Sequence, residues 1–334
     1  MNYLVTGVAG FIGSHIAQRL LDEGNQVIGI DNLIGGYLDN VPKEVRFFNL
    51  DLDSLEDVEP LFENVDVVIH SACTAYEGLS VFSPSLVVRN TVQITTNVMS
   101  SSIKHKVSKV IYLSSMARYG SQKSIPFTEN MTPNPQDPYG IAKLSSEMLV
   151  ENISRTHGVE FVILVPHNVI GPRQKYDDPY RNVASIMINL MLQGKQPIIY
   201  GTGEQKRCFS FINDVIDPIL LACTSDSVLG KTINIGPDEE FVTINELAEK
   251  IAKLLNFNLN PIYVPARPQE VQFATCSADL ARKLLNYETT INLEEGLLQL
   301  AQYIESRGPK EFKYHLPIEF VTEKTPKTWT QNLM

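Results

Sequence analysis

Tyr139 and Lys143 stand four residues apart in DPYGIAKLSSEMLV, a segment with the residue pattern of a helix. This spacing puts both side chains on one face of a helix, a turn apart. An ammonium beside a phenol favours the phenolate and moves the phenol pKa from about 10 toward neutrality. The pair therefore predicts a general base and acid, although a single Y-x-x-x-K also occurs on ordinary amphipathic helices.

Two serines precede that pair, at the end of a predicted strand. The segment KVIYLSSMARYG is apolar up to Leu113 and continues with Ser114, Ser115, Met116 and Ala117. Polar side chains at the carboxyl end of a parallel strand lie where α/β sheets bind ligands. A hydroxyl here predicts a partner for the phenol, and the two residues that follow carry no group that exchanges a proton.

A glycine-rich turn lies near the start of the chain. An apolar run over residues 2–6 is followed by GVAGFIG, with Gly7, Gly10 and Gly13, and then by the helical pattern SHIAQRLLDEG. Strand, glycine turn and helix together let the backbone approach a pyrophosphate at the helix N-terminus. A glycine triplet alone is a weak signal, because tight turns and close helix packing also select glycine.

An acid follows at the distance that this interpretation requires. The second predicted strand, QVIGIDN, ends at Asp31, eighteen residues after Gly13 and close to the expected spacing of about twenty for an acid that binds the adenosine ribose. A carboxylate there repels a 2′-phosphate, which favours NAD over NADP. Asp51, after the third strand, is placed for an adenine contact. The alternative is that Asp31 is only a turn residue.

The remaining pattern predicts the fold class. Further strands at VRFFNLD, DVVIHSA, KVIYLSS and VEFVILVP alternate with helical segments. This alternation predicts an α/β fold with a doubly wound parallel sheet.

Composition narrows the partners. A formal net charge of −10 gives no basic surface for nucleic acid. The chain shows neither a signal peptide nor a membrane-length apolar run, so we expect a cytoplasmic protein. Its four cysteines are scattered without metal-ligand spacing, which predicts reduced thiols, mostly in the core, and no metal.

Taken in order, the motifs resemble those of a known family. TGVAGFIG is similar to its T-G-x-x-G-x-x-G turn, VIYLSSMARYG to its strand with the catalytic Ser or Thr, and YGIAK to its Y-x-x-x-K. Over roughly residues 1–305 the chain resembles extended short-chain dehydrogenases/reductases, specifically nucleotide-sugar epimerases and dehydratases of the UDP-glucose 4-epimerase type. This resemblance implies NAD as cofactor, a UDP-linked sugar as substrate and a homodimer.

The resemblance also implies a division of the chain. A Rossmann-type NAD-binding domain is expected over residues 1–165, with residues 209–237 returning to it. A smaller α/β nucleotide-sugar domain is expected over residues 166–208 and 238–305. We expect residues 306–334, the C-terminal tail, to pack on the body or on a neighbouring subunit, because this segment is too apolar for disorder.

Site residues follow from the same resemblance. Ser115, Tyr139 and Lys143 take the catalytic positions. Counting back from Tyr119 aligns Ser115, rather than Ser114, with the family's hydroxyl. The residues implied to contact NAD are Gly7, Gly10, Phe11, Ile12, Gly13, Asp31, Asn32, Asp51, Leu52, Ser71, Ala72, Tyr139 and Lys143.

The substrate positions are implied by later motifs. PHNVIGPRQ carries Asn168, and two further segments carry Arg207 and Arg267, the expected ligands of the substrate diphosphate. Ser115 also faces the sugar. Ala274 occupies a position where a bulky residue restricts the sugar pocket and a small one admits a 2-acetamido group.

Within the family, Met116 and Ala117 favour a 4-epimerase that works through a 4-keto sugar. Dehydratases typically carry Asp-Glu at these two positions, and a decarboxylating branch that acts on UDP-glucuronate uses an acid at the second. The small Ala274 favours UDP-GlcNAc/UDP-GalNAc, alongside or instead of UDP-Glc/UDP-Gal. A UDP-glucuronate 4-epimerase needs a cation near C6, for which Arg118 and Arg181 are candidates.

Further functional hypotheses remain open. A dehydratase or reductase of the same family is one, and a non-catalytic dinucleotide-binding protein is a remote one. His167 replaces an aromatic residue of the family motif, and we interpret it as structural rather than as a sugar contact. The loop with Tyr76 and Glu77 either lines the sugar pocket or is solvated.

Overall fold

Seven parallel strands form one sheet in the computed structural model, which describes residues 1–334. The strands are Asn2–Thr6 (β1), Gln26–Asp31 (β2), Arg46–Asn49 (β3), Val67–His70 (β4), Lys109–Leu113 (β5), Glu160–Pro166 (β6) and Thr232–Ile235 (β7). Their order across the sheet is β7-β6-β5-β4-β1-β2-β3. The predicted doubly wound fold is confirmed, and its strand order reverses between β1 and β4, where such sheets open a ligand crevice.

The strands are apolar because both faces of the sheet are covered. In β5, Ile111 and Leu113 pack into one hydrophobic cluster, whereas Val110 and Tyr112 pack into the cluster on the opposite face. Successive side chains of a strand point to opposite faces, so a strand buried on both sides reads as a continuous apolar run.

Helices cover the two faces. The longer ones are Phe11–Asp22 (α1), Ile94–Lys104 (α2), Pro138–His157 (α3), Val183–Leu192 (α4), Ile212–Thr224 (α5), Ile244–Leu254 (α6), Asp279–Leu285 (α7) and Leu293–Arg307 (α8). Short helical segments are Leu38–Asn40, Leu55–Val58, Glu59–Phe62, Glu77–Ser80, Pro84–Val88, Arg89–Gln93, Met116–Tyr119 and Lys327–Thr330. Helices α1 and α5 pack together on one face, and α2 and α3 on the other.

None of these helices is both long enough and apolar enough to span a bilayer.

Helix α3 has clear start and stop signals. The Asp137 carboxylate accepts a hydrogen bond from the Gly140 N–H at 2.9 Å, and Pro138 occupies the first helical position. The helix ends at Gly158, which has a left-handed φ of +76°. These boundaries put Tyr139 in the first turn and Lys143 one turn later.

Short strands build the smaller, C-terminal part of the fold. Their pairs are Val169–Ile170 with Ser210–Phe211, and Ile198–Tyr200 with Ile262–Val264. In a third small sheet, Lys206–Arg207 lies between Val242–Thr243 and Phe273–Ala274. This last register sets Arg207 beside Ala274.

The C-terminal tail runs along the body after α8. The Ser83 hydroxyl donates to the Pro317 carbonyl at 2.6 Å, and the Glu319 carboxylate accepts from the backbone N–H groups of Ser85 and Leu86. Trp329 is only 2% exposed, and its ring packs edge-on against Phe82 and Tyr180 with centroid distances of 6.1 and 5.4 Å. The tail therefore anchors the segment that follows β4.

Replacing that anchor should free the tail. Trp329→Ala removes a fully buried aromatic side chain, a loss of about 3–5 kcal/mol in stability. We expect trypsin to cleave the variant's tail at its lysines much faster than that of the unmodified protein, as measured by mass spectrometry. Leu333→Ala, at a residue 53% exposed, is the control and should leave cleavage unchanged. Equal resistance in Trp329→Ala would show that the aromatic cluster does not hold the tail.

Candidate active site

A cavity of about 420 Å³ opens between the carboxyl ends of the strands and the smaller part of the fold. It is lined by every residue implied to contact NAD, namely Gly7, Gly10, Phe11, Ile12, Gly13, Asp31, Asn32, Asp51, Leu52, Ser71, Ala72, Tyr139 and Lys143. Ser115, Asn168, Arg207 and Arg267 line it as well. Ala274 does not, but it lines an adjoining recess of about 80 Å³ together with Glu77, Ser115 and Ala117; we call this the side recess.

Ser115, Tyr139 and Lys143 meet at the end of β5. The Ser115 and Tyr139 side chains lie close together at the cavity, and the Ser115 hydroxyl oxygen accepts a hydrogen bond from the Ala117 N–H at 3.2 Å. The Lys143 ammonium donates to the carbonyl of Leu113 at 2.7 Å. Helix α3 thus brings the phenol and the ammonium to the serine that follows the strand.

Burial, rather than Lys143, dominates the electrostatics of Tyr139. Burial raises the pKa of its phenol above the ordinary value, Cys73 raises it further, and the lowering by Lys143 and Ser115 does not reverse this. The sequence-based expectation of a pKa near neutrality is therefore wrong for the chain by itself. Burial opposes the charge on Lys143, but Cys73, Tyr112 and Tyr139 raise its pKa above the ordinary value, so it stays cationic.

Ser114 has a structural role distinct from that of Ser115. Its hydroxyl donates to the buried carboxylate of Glu147, which also pairs with Arg118 at 3.0 Å. Arg118 is held there and does not line the cavity. Of the two candidate cations for a uronate, only Arg181 lines it.

The glycine turn fits a dinucleotide. A Cβ at Gly13 would lie 2.2 Å from the Gly7 carbonyl oxygen, so no side chain can cover the backbone at this turn. Gly7 has a left-handed φ of +72°. The first N–H groups of α1 therefore remain accessible to a pyrophosphate.

The acids at the ends of the next strands fit as well. Asp31 is 8% exposed, and its carboxylate accepts from the N–H groups of Ala9 at 3.0 Å and Leu33 at 2.7 Å. These bonds hold it at the cavity wall, where a ribose hydroxyl can donate to it. Asp51 accepts from the Asn32 amide at 3.1 Å. The residues present thus fit NAD.

Two arginines lie at the other end of the cavity. The Arg267 guanidinium stacks over the Tyr200 ring at 4.7 Å and donates to Glu270 at 2.9 Å, and its buried Nε has no partner. Arg207 donates to the Lys206 carbonyl at 2.8 Å and lies 3.9 Å from Glu270. We call Arg207 and Arg267 the diphosphate arginines, for the role that the resemblance implies.

Asn168 and His167 are held by backbone groups. Asn168 has a left-handed φ of +43°, and its amide donates to the Cys208 carbonyl at 2.9 Å. His167 is 2% exposed, and its Nε2 contacts the Pro237 carbonyl at 3.0 Å, which fixes the proton on Nε2. Burial lowers the pKa of His167 to about 4, so it is neutral. These contacts fit the structural interpretation of His167, although its ring also lines the side recess.

Two acids of the cavity wall have little or no signal in the sequence. The sequence around Asp137 indicates only an N-cap of α3, but Asp137 also lines the cavity. Burial and the nearby Glu77 raise the pKa of its carboxyl group to about 7. The sequence leaves the loop with Tyr76 and Glu77 as either part of the sugar pocket or solvated; Glu77 lines the cavity, whereas Tyr76 is buried away from it and donates to Asp178 at 2.5 Å. No spacing motif connects residues 77 and 137, so only the fold brings them together.

The raised pKa of Asp137 predicts a pH-dependent stability. Between its ordinary value of 3.8 and about 7 the folded state binds a proton that the unfolded chain does not, so the free energy of unfolding falls as pH rises through this window. Asparagine keeps the N-cap bond to Gly140 but cannot titrate. Asp137→Asn should therefore gain thermal stability relative to the unmodified protein as pH increases from 4.5 to 7.5.

Melting temperatures at several pH values check this. The exposed Asp226→Asn is the matched control and should keep a constant difference from the unmodified protein. A pH-independent difference for Asp137→Asn would mean that Asp137 is an ordinary ionised cap.

The chain matches a family model and several solved structures. The model of the NAD dependent epimerase/dehydratase family matches residues 3–236. UDP-glucose 4-epimerase from Thermotoga maritima, solved with UDP-glucose, is 32% identical with a TM-score of 0.88; the match covers 92% of this chain and 99% of that one. UDP-glucuronic acid 4-epimerase from Bacillus cereus, solved with UDP-glucuronic acid and NAD, is 30% identical with a TM-score of 0.86, covering 92% and 100%.

A third structure broadens the range of sugars. UDP-N-acetylglucosamine 4-epimerase from Methanobrevibacter ruminantium, solved with UDP-N-acetylmuramic acid, is 30% identical with a TM-score of 0.85, and the match covers 92% of this chain and 99% of that one. The remaining 8% of this chain, about 27 residues, is close to the length of its C-terminal tail. The fold, the cavity and these matches identify the chain as a member of the NAD-dependent epimerase/dehydratase family, within the extended short-chain dehydrogenases/reductases, and as an NAD-dependent epimerase.

Proposed function

We propose that the protein is a 4-epimerase of uncharged UDP-sugars, acting on UDP-GlcNAc/UDP-GalNAc, UDP-Glc/UDP-Gal or both. The observation that carries this proposal is that Ser115, Tyr139 and Lys143 lie together at the cavity. Met116 and Ala117, the next two residues in the sequence, have no side-chain group that can donate or accept a proton. Oxidation and reduction at one carbon need only this set. Elimination of water across C5 and C6 needs a further acid and base, which the two positions after the serine do not supply.

Each catalytic side chain has a defined task. Tyr139 takes the proton of the sugar 4-OH and returns it, and Ser115, which lies beside the phenol, bridges that proton's path. Lys143 stabilises the Tyr139 phenolate before it takes the proton and again after the proton has returned to the sugar. When bound, NAD supplies a hydride acceptor for C4 and a cationic ring, and it is regenerated in each cycle.

Substrate binding rests on the opposite end of the cavity. The diphosphate arginines can hold phosphate oxygens with bidentate geometry while the sugar turns over between its two faces. The buried Nε of Arg267 has no partner within the protein and is available for this. Ala274 beside Arg207 leaves the side recess open, which supports a 2-acetamido sugar.

Arg181 supports UDP-glucuronate as a second candidate substrate. It lines the cavity and stacks over the Tyr76 ring at 4.9 Å. Burial opposes its charge, but Tyr76 and Asp178 raise the pKa of its guanidinium, so it stays cationic. A cation there would suit the C6 carboxylate of a glucuronate.

Incubation with single substrates tests the proposal. Purified protein with NAD and UDP-Glc, UDP-GlcNAc or UDP-GlcA should convert at least one of the first two into its C4 epimer, followed by the anomeric proton signals in NMR. Absorbance at the NADH band should not grow, because the hydride returns to the sugar. A new sugar methyl doublet would indicate 4,6-dehydration, and stoichiometric NADH a dehydrogenase; either contradicts the proposal.

Two tyrosine variants provide the control. Tyr139→Phe should lower kcat by about 10²-fold or more, because the proton carrier is gone. Tyr112→Phe removes only the hydroxyl from the ring that lies beneath the Lys143 ammonium. Tyr112 does not line the cavity, so this variant should retain most activity. Equal rates for both variants would remove Tyr139 from the mechanism.

A further inference from the structure

One carboxylate of the cavity wall has no partner. Glu77 begins the short helix Glu77–Ser80, and its side chain lines both the main cavity and the side recess. No hydrogen bond acts on its carboxylate; only burial and more distant charges do. The Glu77 side chain is exposed to the cavity, where its carboxylate can accept a hydrogen bond from a bound ligand.

The groups around Glu77 change its pKa in opposite directions. Burial raises its pKa, Arg207 and Arg267 lower it, and Glu270 raises it again. Under the proposed function, the two arginines are occupied by the substrate diphosphate, whose negative charge offsets theirs. Glu77 and Asp137 then remain as acids of the cavity wall, and Glu77 adds to the effect of burial in raising the pKa of Asp137.

The side recess is rich in hydrogen-bond acceptors. Glu77 contributes its carboxylate, and the neutral His167 has a buried Nδ1 without a partner. Ser115, Asn168 and Arg207 complete the polar lining, and under the proposed function the substrate diphosphate occupies the Arg207 guanidinium. At about 80 Å³ the recess has room for a small polar substituent, and the remaining acceptors suit an O–H or N–H donor.

The segment that carries Glu77 is held against the tail. A Cβ built on Gly78 would lie 3.5 Å from the Trp329 ring and 3.2 Å from the Arg267 guanidinium, so the chain there is packed closely on both sides. Further along, Ser83 and the backbone at Ser85 bond to the tail. The backbone that carries Glu77 is therefore held in place and has little freedom to move away from a bound sugar.

We propose that Glu77 is the specificity-determining residue of the sugar site. Its carboxylate accepts a hydrogen bond from a hydroxyl or amide N–H of an uncharged sugar, and it repels sugars that carry a carboxylate. This inference rests on the proposed function and deepens it, since it names the charge class of the substrate. Arg181 favours a sugar that carries a carboxylate, so variants of Glu77 and of Arg181 should change the substrate preference in opposite directions.

Binding to an inactive background tests Glu77 without requiring turnover. In Tyr139→Phe protein with NAD, calorimetry gives Kd for UDP, UDP-Glc and UDP-GlcA, with and without Glu77→Gln. Glutamine keeps the size of the side chain and removes its charge. We expect the ratio of Kd for UDP-GlcA to Kd for UDP-Glc to exceed one in the background and to fall about tenfold with Glu77→Gln, while Kd for UDP changes less than about threefold.

The matched control is Glu249→Gln, which changes an exposed glutamate on helix α6, outside the cavity lining. It should leave the ratio unchanged. A ratio that does not respond to Glu77→Gln, or a background that already prefers UDP-GlcA, overturns the inference; in the second case Arg181→Gln should abolish that preference. Failure of the proposed function is distinguishable, because then the sugars bind with the expected ratio while the unmodified protein produces no C4 epimer.

Discussion

The hydrogen bond from the Lys143 ammonium to the Leu113 carbonyl joins helix α3 to the end of strand β5, and the site depends on this junction. It satisfies a buried cation with a backbone acceptor, without a carboxylate that would neutralise it. Because the Asp137 cap and Pro138 set where the helix begins, Tyr139 falls one turn before Lys143 and beside Ser115. The same junction separates the serines: Ser114 turns into the protein toward Glu147, and Ser115 faces the cavity.

The charged groups at the substrate end of the cavity lie close together. The diphosphate arginines flank Glu270, and both also lower the pKa of Glu77, which burial raises. Burial raises the pKa of the Tyr139 phenol, and the Lys143 ammonium acts in the opposite direction.

The sequence predicts those parts of the fold whose signal is local. The glycine turn, the acid at Asp31 and the Y-x-x-x-K pair each have a signal within a short stretch of sequence, and all of these residues line the cavity. Glu77 and Asp137 are sixty residues apart, and only the packing of α3 against the segment after β4 brings them together. The hydrophobic periodicity of the sequence therefore does not predict this pair. The raised pKa of Tyr139 is also beyond the reach of the sequence, because the desolvation that causes it depends on every element around the phenol.

The proposed mechanism requires that a single hydrogen leaves C4 of the sugar and returns to the same carbon. UDP-glucose deuterated at C4 tests this requirement most directly, with the product's isotope content read by mass spectrometry and NMR. We expect C4-epimerised product that retains the deuterium at C4, in ordinary water and without net NADH. Product in which solvent hydrogen has replaced the C4 deuterium would rule the mechanism out.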